Sequence, residues 1–240
     1  MRLESIAKHF KLWEILADLE QLLPDIRESF EALAPSFDLK FAVHAPFNDL
    51  NIASFNPKIR KISLDTIKES MTVAHELGIR IFSFHPGHYC PTGLYYPEKV
   101  FELSKKGVWE LEKFAKNLDL EVSLENMPIP KWTLCTNKDE LMEYIEGTDL
   151  KICFDIGHAH INNQIFEFMK VIDLFGNVHI HDNNGKRDQH RIIGTETVPL
   201  KDFLKDLIEG YNDNIIIEAN TLEEGVESYE VLKKMINDIE

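Results

Sequence analysis

Short apolar runs alternate along this chain with longer stretches in which apolar residues recur every three to four positions. The runs are Leu39–Ala45 (LKFAVHA), Ile79–His85 (IRIFSFH), Glu121–Asn126 (EVSLEN), Lys151–Ile156 (KICFDI), Asn177–Asp182 (NVHIHD) and Asn214–Ala219 (NIIIEA). Each is rich in Val, Ile or Phe, the pattern of a parallel strand buried on both faces. Between them the spacing predicts helices over Pro57–Leu77, Pro97–Leu118, Asn137–Glu146 and Pro199–Glu209. Pro57, Pro97 and Pro199 suit first-turn positions, and Gly78 and Gly210 suit helix stops. Strand and helix in strict alternation predict a parallel α/β sheet. At 240 residues, with no Pro/Gly/Ser-rich linker, residues 1–240 are expected to form one domain, an α/β barrel of the TIM (β/α)8 type.

The N-terminal region fits this scheme less closely. Phe10–Leu16 (FKLWEIL) reads as a further strand after a short helix, and Leu22–Phe37 as the next helix. That makes seven strands where a closed barrel has eight. Either the first barrel strand is absent, or residues 1–20 pack irregularly. An unpaired strand edge needs a loop, a helix or a second subunit over it, so a homodimer is one expected solution.

Polar residues fall at the ends of the runs. The six apolar runs close with His44, His85, Glu125, Asp155, either His179 or His181, and Glu218. Ionisable groups at the ends of buried strands are costly unless they are paired or bind metal. In a barrel such ends converge on one face, where chemistry takes place. Imidazoles mixed with carboxylates suit Zn²⁺ or Mn²⁺ better than Mg²⁺ or Ca²⁺. The bland alternatives are specific: His44 and His85 as satisfied core histidines, and Asp155 as a helix cap with His158 incidental. His160 reads as incidental. His179 and His181 share one strand parity, so one can bind metal while the other supports it or simply packs. Asp188 and His190 lie in a polar loop, NNGKRDQHR, that reads equally well as a solvated connection.

Composition narrows the partners. With 26 basic and 41 acidic residues the net charge is −15, which disfavours a non-specific grip on nucleic acid or anionic membrane. A nucleic-acid substrate held through metal stays open, since three divalent ions would restore about +6 locally. Cys90, Cys135 and Cys153 show no CxxC spacing and read as reduced thiols of a cytoplasmic protein. No leader and no run of membrane-spanning length is apparent.

The pieces VHAPF, FHPG, LEN, DIGH, VHIHD, DQH and IIIEA, in this order, resemble the endonuclease IV-like and xylose isomerase-like TIM barrels, or AP endonuclease family 2. The resemblance runs from about Phe10 onward. In the endonuclease IV branch it implies up to three zinc ions, held by His44, His85, Glu125, Asp155, His158, His179, Asp188, His190 and Glu218. In the isomerase and epimerase branch it implies one Mn, Co or Mg ion on Glu125, Asp155, His179 and Glu218. Two departures stand out: Gly194-Thr195-Glu196 replaces the family's Gly-x-Gly turn, and Lys186, Arg187 and Arg191 form the sole basic cluster near the site.

Two chemistries follow from the resemblance. The leading one is phosphodiester hydrolysis by a zinc-activated water, with Glu125 bridging two ions and Glu218 assisting. The alternative is a sugar or sugar-phosphate isomerase or epimerase in which Glu125 and Glu218 exchange a proton with carbon. The aromatic residues Phe47, Tyr95, Tyr96 and Trp132 would then lie over a small-molecule substrate. A metal-stabilised barrel without catalysis is the third reading.

Overall fold

The computed structural model describes residues 3–129 and 132–239. Seven strands form one sheet in sequence order: β1 (Leu12–Leu16), β2 (Lys40–His44), β3 (Ile81–Phe84), β4 (Glu121–Glu125), β5 (Lys151–Asp155), β6 (Phe175–Ile180) and β7 (Ile215–Ile217). Every neighbouring pair is parallel. The nine α-helices found among the described residues are α1 (Leu3–Ala7), α2 (Leu23–Leu33), α3 (Pro57–Glu76), α4 (Pro97–Asn117), α5 (Lys138–Ile145), α6 (Ile156–Ile161), α7 (Ile165–Met169), α8 (Leu200–Gly210) and α9 (Leu222–Asn237). The result is a TIM-type α/β barrel that is nearly closed. All six expected strands and the further one at Phe10–Leu16 are present, with ends shifted by a few residues at most. None of these helices is long and apolar enough to cross a membrane.

The helix signals hold with two exceptions. Pro57 and Pro97 begin α3 and α4, and Asn56 caps α3 by accepting the Lys58 amide. Pro199 stands one residue before α8 rather than in its first turn. Gly78 ends α3 with φ of +74°, a backbone conformation that glycine adopts without strain. Gly210 is the last residue of α8 but lacks a left-handed φ; it is small because a Cβ there would lie 2.9 Å from Ile172 Cδ1. The outer layer is apolar. Phe154 stacks on Phe175 at 4.7 Å and touches Phe168 and Phe203 beneath the helices. Each such fully buried side chain contributes about 1.5–3 kcal/mol.

The seven strands of the described residues leave a visible seam. Among the described residues β1 pairs only with β2 and β7 only with β6. A cavity of about 1030 Å³ begins at the C-terminal mouth and runs down between β1 and β7, past Phe10, Trp13, Ile215 and Tyr229. The N-terminal segment therefore contributes a strand and two short helical turns, and it does not close the barrel.

Candidate metal centre

Register brings the strand ends together. His44 lies opposite Ser83, Glu125 opposite Cys153, and Asp155 opposite His179. The cavity mouth is lined by His44, His85, Glu125, His158, Asp188, His190 and Glu218. Asp155 and His179 lie fully buried just behind it. All nine sequence-predicted donors thus reach one place.

They gather into overlapping groups whose ligand atoms lie within 4.8 Å of one another. One is His44, His85 and Glu125; a second is Asp155, His181 and Glu218; a third is His158, His181, Asp188 and His190. Glu125 connects the first group to the rest. Its Oε2 is 3.0 Å from His44 Nε2 and 3.2 Å from His85 Nε2, while Oε1 is 3.3 Å from His158 Nδ1. Asp188 lies 3.2 Å from His158 Nε2 and 3.1 Å from His190 Nε2.

The imidazoles are oriented from behind. His44 Nδ1 rests 2.9 Å from the Ala45 carbonyl, and His158 Nδ1 rests 2.9 Å from that of Asn126. His181 Nδ1 faces the Asp182 carbonyl at 3.4 Å. In each case Nε2 is left to face the carboxylates, which is the arrangement in which metal-ligating histidines are held. Seven buried side-chain atoms among the described residues lack a hydrogen-bond partner, and three of them belong to the donor groups: Asp155 Oδ2, His179 Nδ1 and His181 Nε2. Buried polar atoms are rarely left so, and three of them within one cluster of donors suit a cation. The donor set and these orphaned atoms fit a divalent metal.

Charge in the cluster is strongly coupled. Burial opposes ionisation of Glu125, but His85 together with hydrogen bonds from His158, His44 and His85 holds its carboxyl well below the usual range. Burial likewise opposes the charged forms of Asp188 and Glu218, and neighbouring histidines again keep both low. His181 is pushed up to about 9 against its own desolvation, mainly by Asp155. His85 goes the other way, because burial outweighs Glu125. Burial pushes the Cys153 thiol up to about 12, so it stays protonated beside His179.

Several residues act here that sequence reasoning left open or passed over. His181 joins two of the donor groups, so both histidines of VHIHD belong to the cluster. Gly157 makes room for it, since a Cβ there would sit 2.0 Å from His181 Cε1. Asp182 is buried and accepts main-chain N–H groups from Asn183, Gly194, Glu196 and Val198 at 2.9–3.0 Å. This ties down residues 183–198, the loop that carries Asp188 and His190, and explains how Gly194-Thr195-Glu196 works as the turn. His190 sits at φ +48°, held by Asn220 donating to its carbonyl at 3.0 Å. Left-handed backbone costs a non-glycine residue about 1–2 kcal/mol, so the loop spends stability to aim this ring. Asp155 does cap α6, accepting the His158 amide at 2.6 Å, yet it lies 3.3 Å from His181 Nε2 as well. The cap and the donor are one residue.

Other candidates fall away. His160 bonds Thr197 Oγ1 outside the cluster. Phe47 lines the cavity and packs on His85 at 4.6 Å. Tyr95, Tyr96 and Trp132 are exposed and do not line it. Lys186, Arg187 and Arg191 are exposed.

A seven-stranded parallel barrel with clustered histidines and carboxylates at its C-terminal mouth is the architecture of a TIM-barrel enzyme scaffold. Residues 4–235 match the xylose isomerase-like TIM barrel family, and the chain belongs to it. It is 38% identical to the Methanocaldococcus jannaschii protein MJ1614, over 73% of this chain and 68% of that protein. It is 25% identical to fructoselysine 3-epimerase of Escherichia coli O157:H7, over 83% and 76% of the two chains. It is 26% identical to the "Probable endonuclease 4" of Pediococcus pentosaceus, over 71% and 62%. A solved D-tagatose 3-epimerase-like protein superposes with a TM-score of 0.91 at 32% identity, covering 99% of this chain and 92% of that one.

Proposed function

We propose that the chain is a multi-metal hydrolase of phosphoesters. The observation that carries this reading is the number of donors at the mouth. A single ion would use Glu125, Asp155, His179 and Glu218, leaving His44, His85, His158, Asp188 and His190 without a task. Gathering five further ionisable groups there, His44 and His158 buried and His85 nearly so, is costly, and with Glu125 and His181 they form groups each large enough to hold an ion of its own.

Bound divalent ions would supply Lewis acidity to phosphoryl oxygens and make an attacking water acidic near neutral pH. The protein's own part is positional. Glu125 shares its two oxygens between the His44/His85 group and His158, which fixes the spacing of the two groups. Glu218, 3.1 Å from His179 and 22% exposed, would take up the proton of the attacking water. Asp188 and His190 stand at the loop side, where the leaving oxygen would depart. The −15 charge favours a small phosphoester over duplex DNA as substrate.

A second reading, a sugar epimerase or isomerase with one ion, is favoured by the similarity to the D-tagatose 3-epimerase-like structure. In it Glu125 and Glu218, both close to His179, would exchange a proton with a carbon beside a carbonyl. The test is an Asp188→Ala/His190→Ala double variant assayed on small phosphodiesters and on a panel of ketoses. The hydrolase reading expects phosphodiester hydrolysis in the wild type and its loss in the variant. Ketose epimerisation that survives the double substitution would overturn it in favour of the second reading.

A further inference from the structure

His179 is held differently from its neighbours. His44, His158 and His181 each rest Nδ1 against a main-chain carbonyl and turn Nε2 inward. His179 is reversed: Nδ1 faces Glu218 Oε1 at 3.1 Å and Nε2 points down into the barrel. The acceptor at that end is Glu14 on β1, whose Oε1 lies 2.8 Å from His179 Nε2. Glu14 is 5% exposed and belongs to none of the donor groups.

The surroundings leave Glu14 this role alone. Its other oxygen, Oε2, accepts Asn177 Nδ2 at 2.6 Å. The same Asn177 nitrogen donates to Ser83 Oγ at 3.1 Å. An amide has two N–H hydrogens, so none remains for His179 Nε2, which lies 3.2 Å away. The Cys153 sulfur, 3.4 Å from that nitrogen, is a weak acceptor. We propose that Glu14 is a positioning residue for the metal centre. With Asn177 and Ser83 behind it, Glu14 holds the proton of His179 on Nε2 and keeps the Nδ1 lone pair aimed between Glu218 and Glu125. A carboxylate behind an imidazole also makes it a stronger ligand than a carbonyl would. β1 is the strand at the seam, so an edge strand with no ligand of its own contributes to the centre from below.

This inference rests on the reading of the mouth as a metal site, and one titration separates the two. Full-length wild type, Glu14→Gln and Glu14→Ala would be stripped of metal and titrated with Co²⁺, followed by its visible absorption. Metal-free melting curves run alongside. Losing such a partner weakens metal binding by about 10- to 100-fold. Glu14→Ala is expected near the upper end. Glu14→Gln is expected nearer tenfold, because its amide can accept from His179 yet then turns N–H toward Asn177 Nδ2. A purely structural Glu14 would lower the metal-free melting temperature and leave the affinity of the folded protein alone. If the foldable variants bind Co²⁺ within about threefold of wild type, the role of Glu14 is overturned and the metal reading stands. If wild type itself binds none, both fall.

Discussion

The donors of this centre come from two kinds of scaffold. Glu125, Asp155 and His179 end adjacent strands β4, β5 and β6, are buried, and are fixed by ladder register. Asp188 and His190 ride on the loop of residues 183–198, about one-third exposed. The wall needs nothing beyond the sheet to be in place. The arm is held by the Asp182 carboxylate, which gathers its main-chain N–H groups, by the Asp182–Arg191 main-chain bridge and Asn220, and by a left-handed His190. On the proposed multi-metal reading, a rigid wall with a tethered arm would hold part of the metal permanently and let the remainder come and go with the loop.

Removing the tether should break this comparison most sharply. Asp182→Ala strips a charged acceptor from four main-chain donors and should cost about 3 kcal/mol of stability. It should also cost the His158/Asp188/His190 group its metal while the wall keeps its own, seen as a partial and not complete fall in bound metal. Loss of all metal would mean that wall and arm are one unit.

Gly157→Ala acts at the joint between them. Its Cβ would overlap His181, so ring and loop must shift, at about 1–3 kcal/mol by chemical denaturation. The arm group should weaken more than the His44/His85/Glu125 group, which His181 does not touch. Equal weakening of both would show that His181 belongs to the wall.

The smallest effect is a contrast in pH dependence. His158 and His179 stand well above the ordinary value of 6.5 against the pull of burial, the first chiefly through Asp155 and the second through Cys153, Glu14 and Glu218. His181 is pushed up to about 9 despite burial, mainly by Asp155. A raised histidine stabilises the metal-free fold fully below its unfolded value and loses that contribution as pH climbs through the folded one. Glu125, Asp188 and Glu218 are held low against burial by the histidines, so their contribution is present above the ordinary carboxylate range and lost in acid. Metal-free protein should therefore melt highest on the acid side of neutrality and fall by roughly a few degrees towards pH 9. Metal must displace those protons, so the rise in melting temperature on adding Zn²⁺ should grow over the same window. A metal-induced rise that shrinks with pH would contradict this arrangement.

The wall was legible in the sequence because each of its strands is an apolar run that ends in a donor. Asp188 and His190 were not distinguishable by pattern from a solvated loop; what marks them is the tertiary tether of Asp182. That aspartate itself closes the run NVHIHD and was read only as a strand end. Glu14 gave a faint signal, a charged residue within the apolar run FKLWEIL, yet its partners Asn177 and His179 lie far along the chain. Gly157 carried none, since its requirement comes from a ring brought against it by β6. Local pattern reports which strand ends are charged. It does not report what orients them.

The most direct test of the multi-metal centre is elemental analysis of protein purified without chelator or affinity-tag metal, counted per chain. More than one zinc per chain, falling when Asp188 and His190 are replaced, is the expected result. A single exchangeable manganese, cobalt or magnesium ion per chain, unaffected by that replacement, would contradict it.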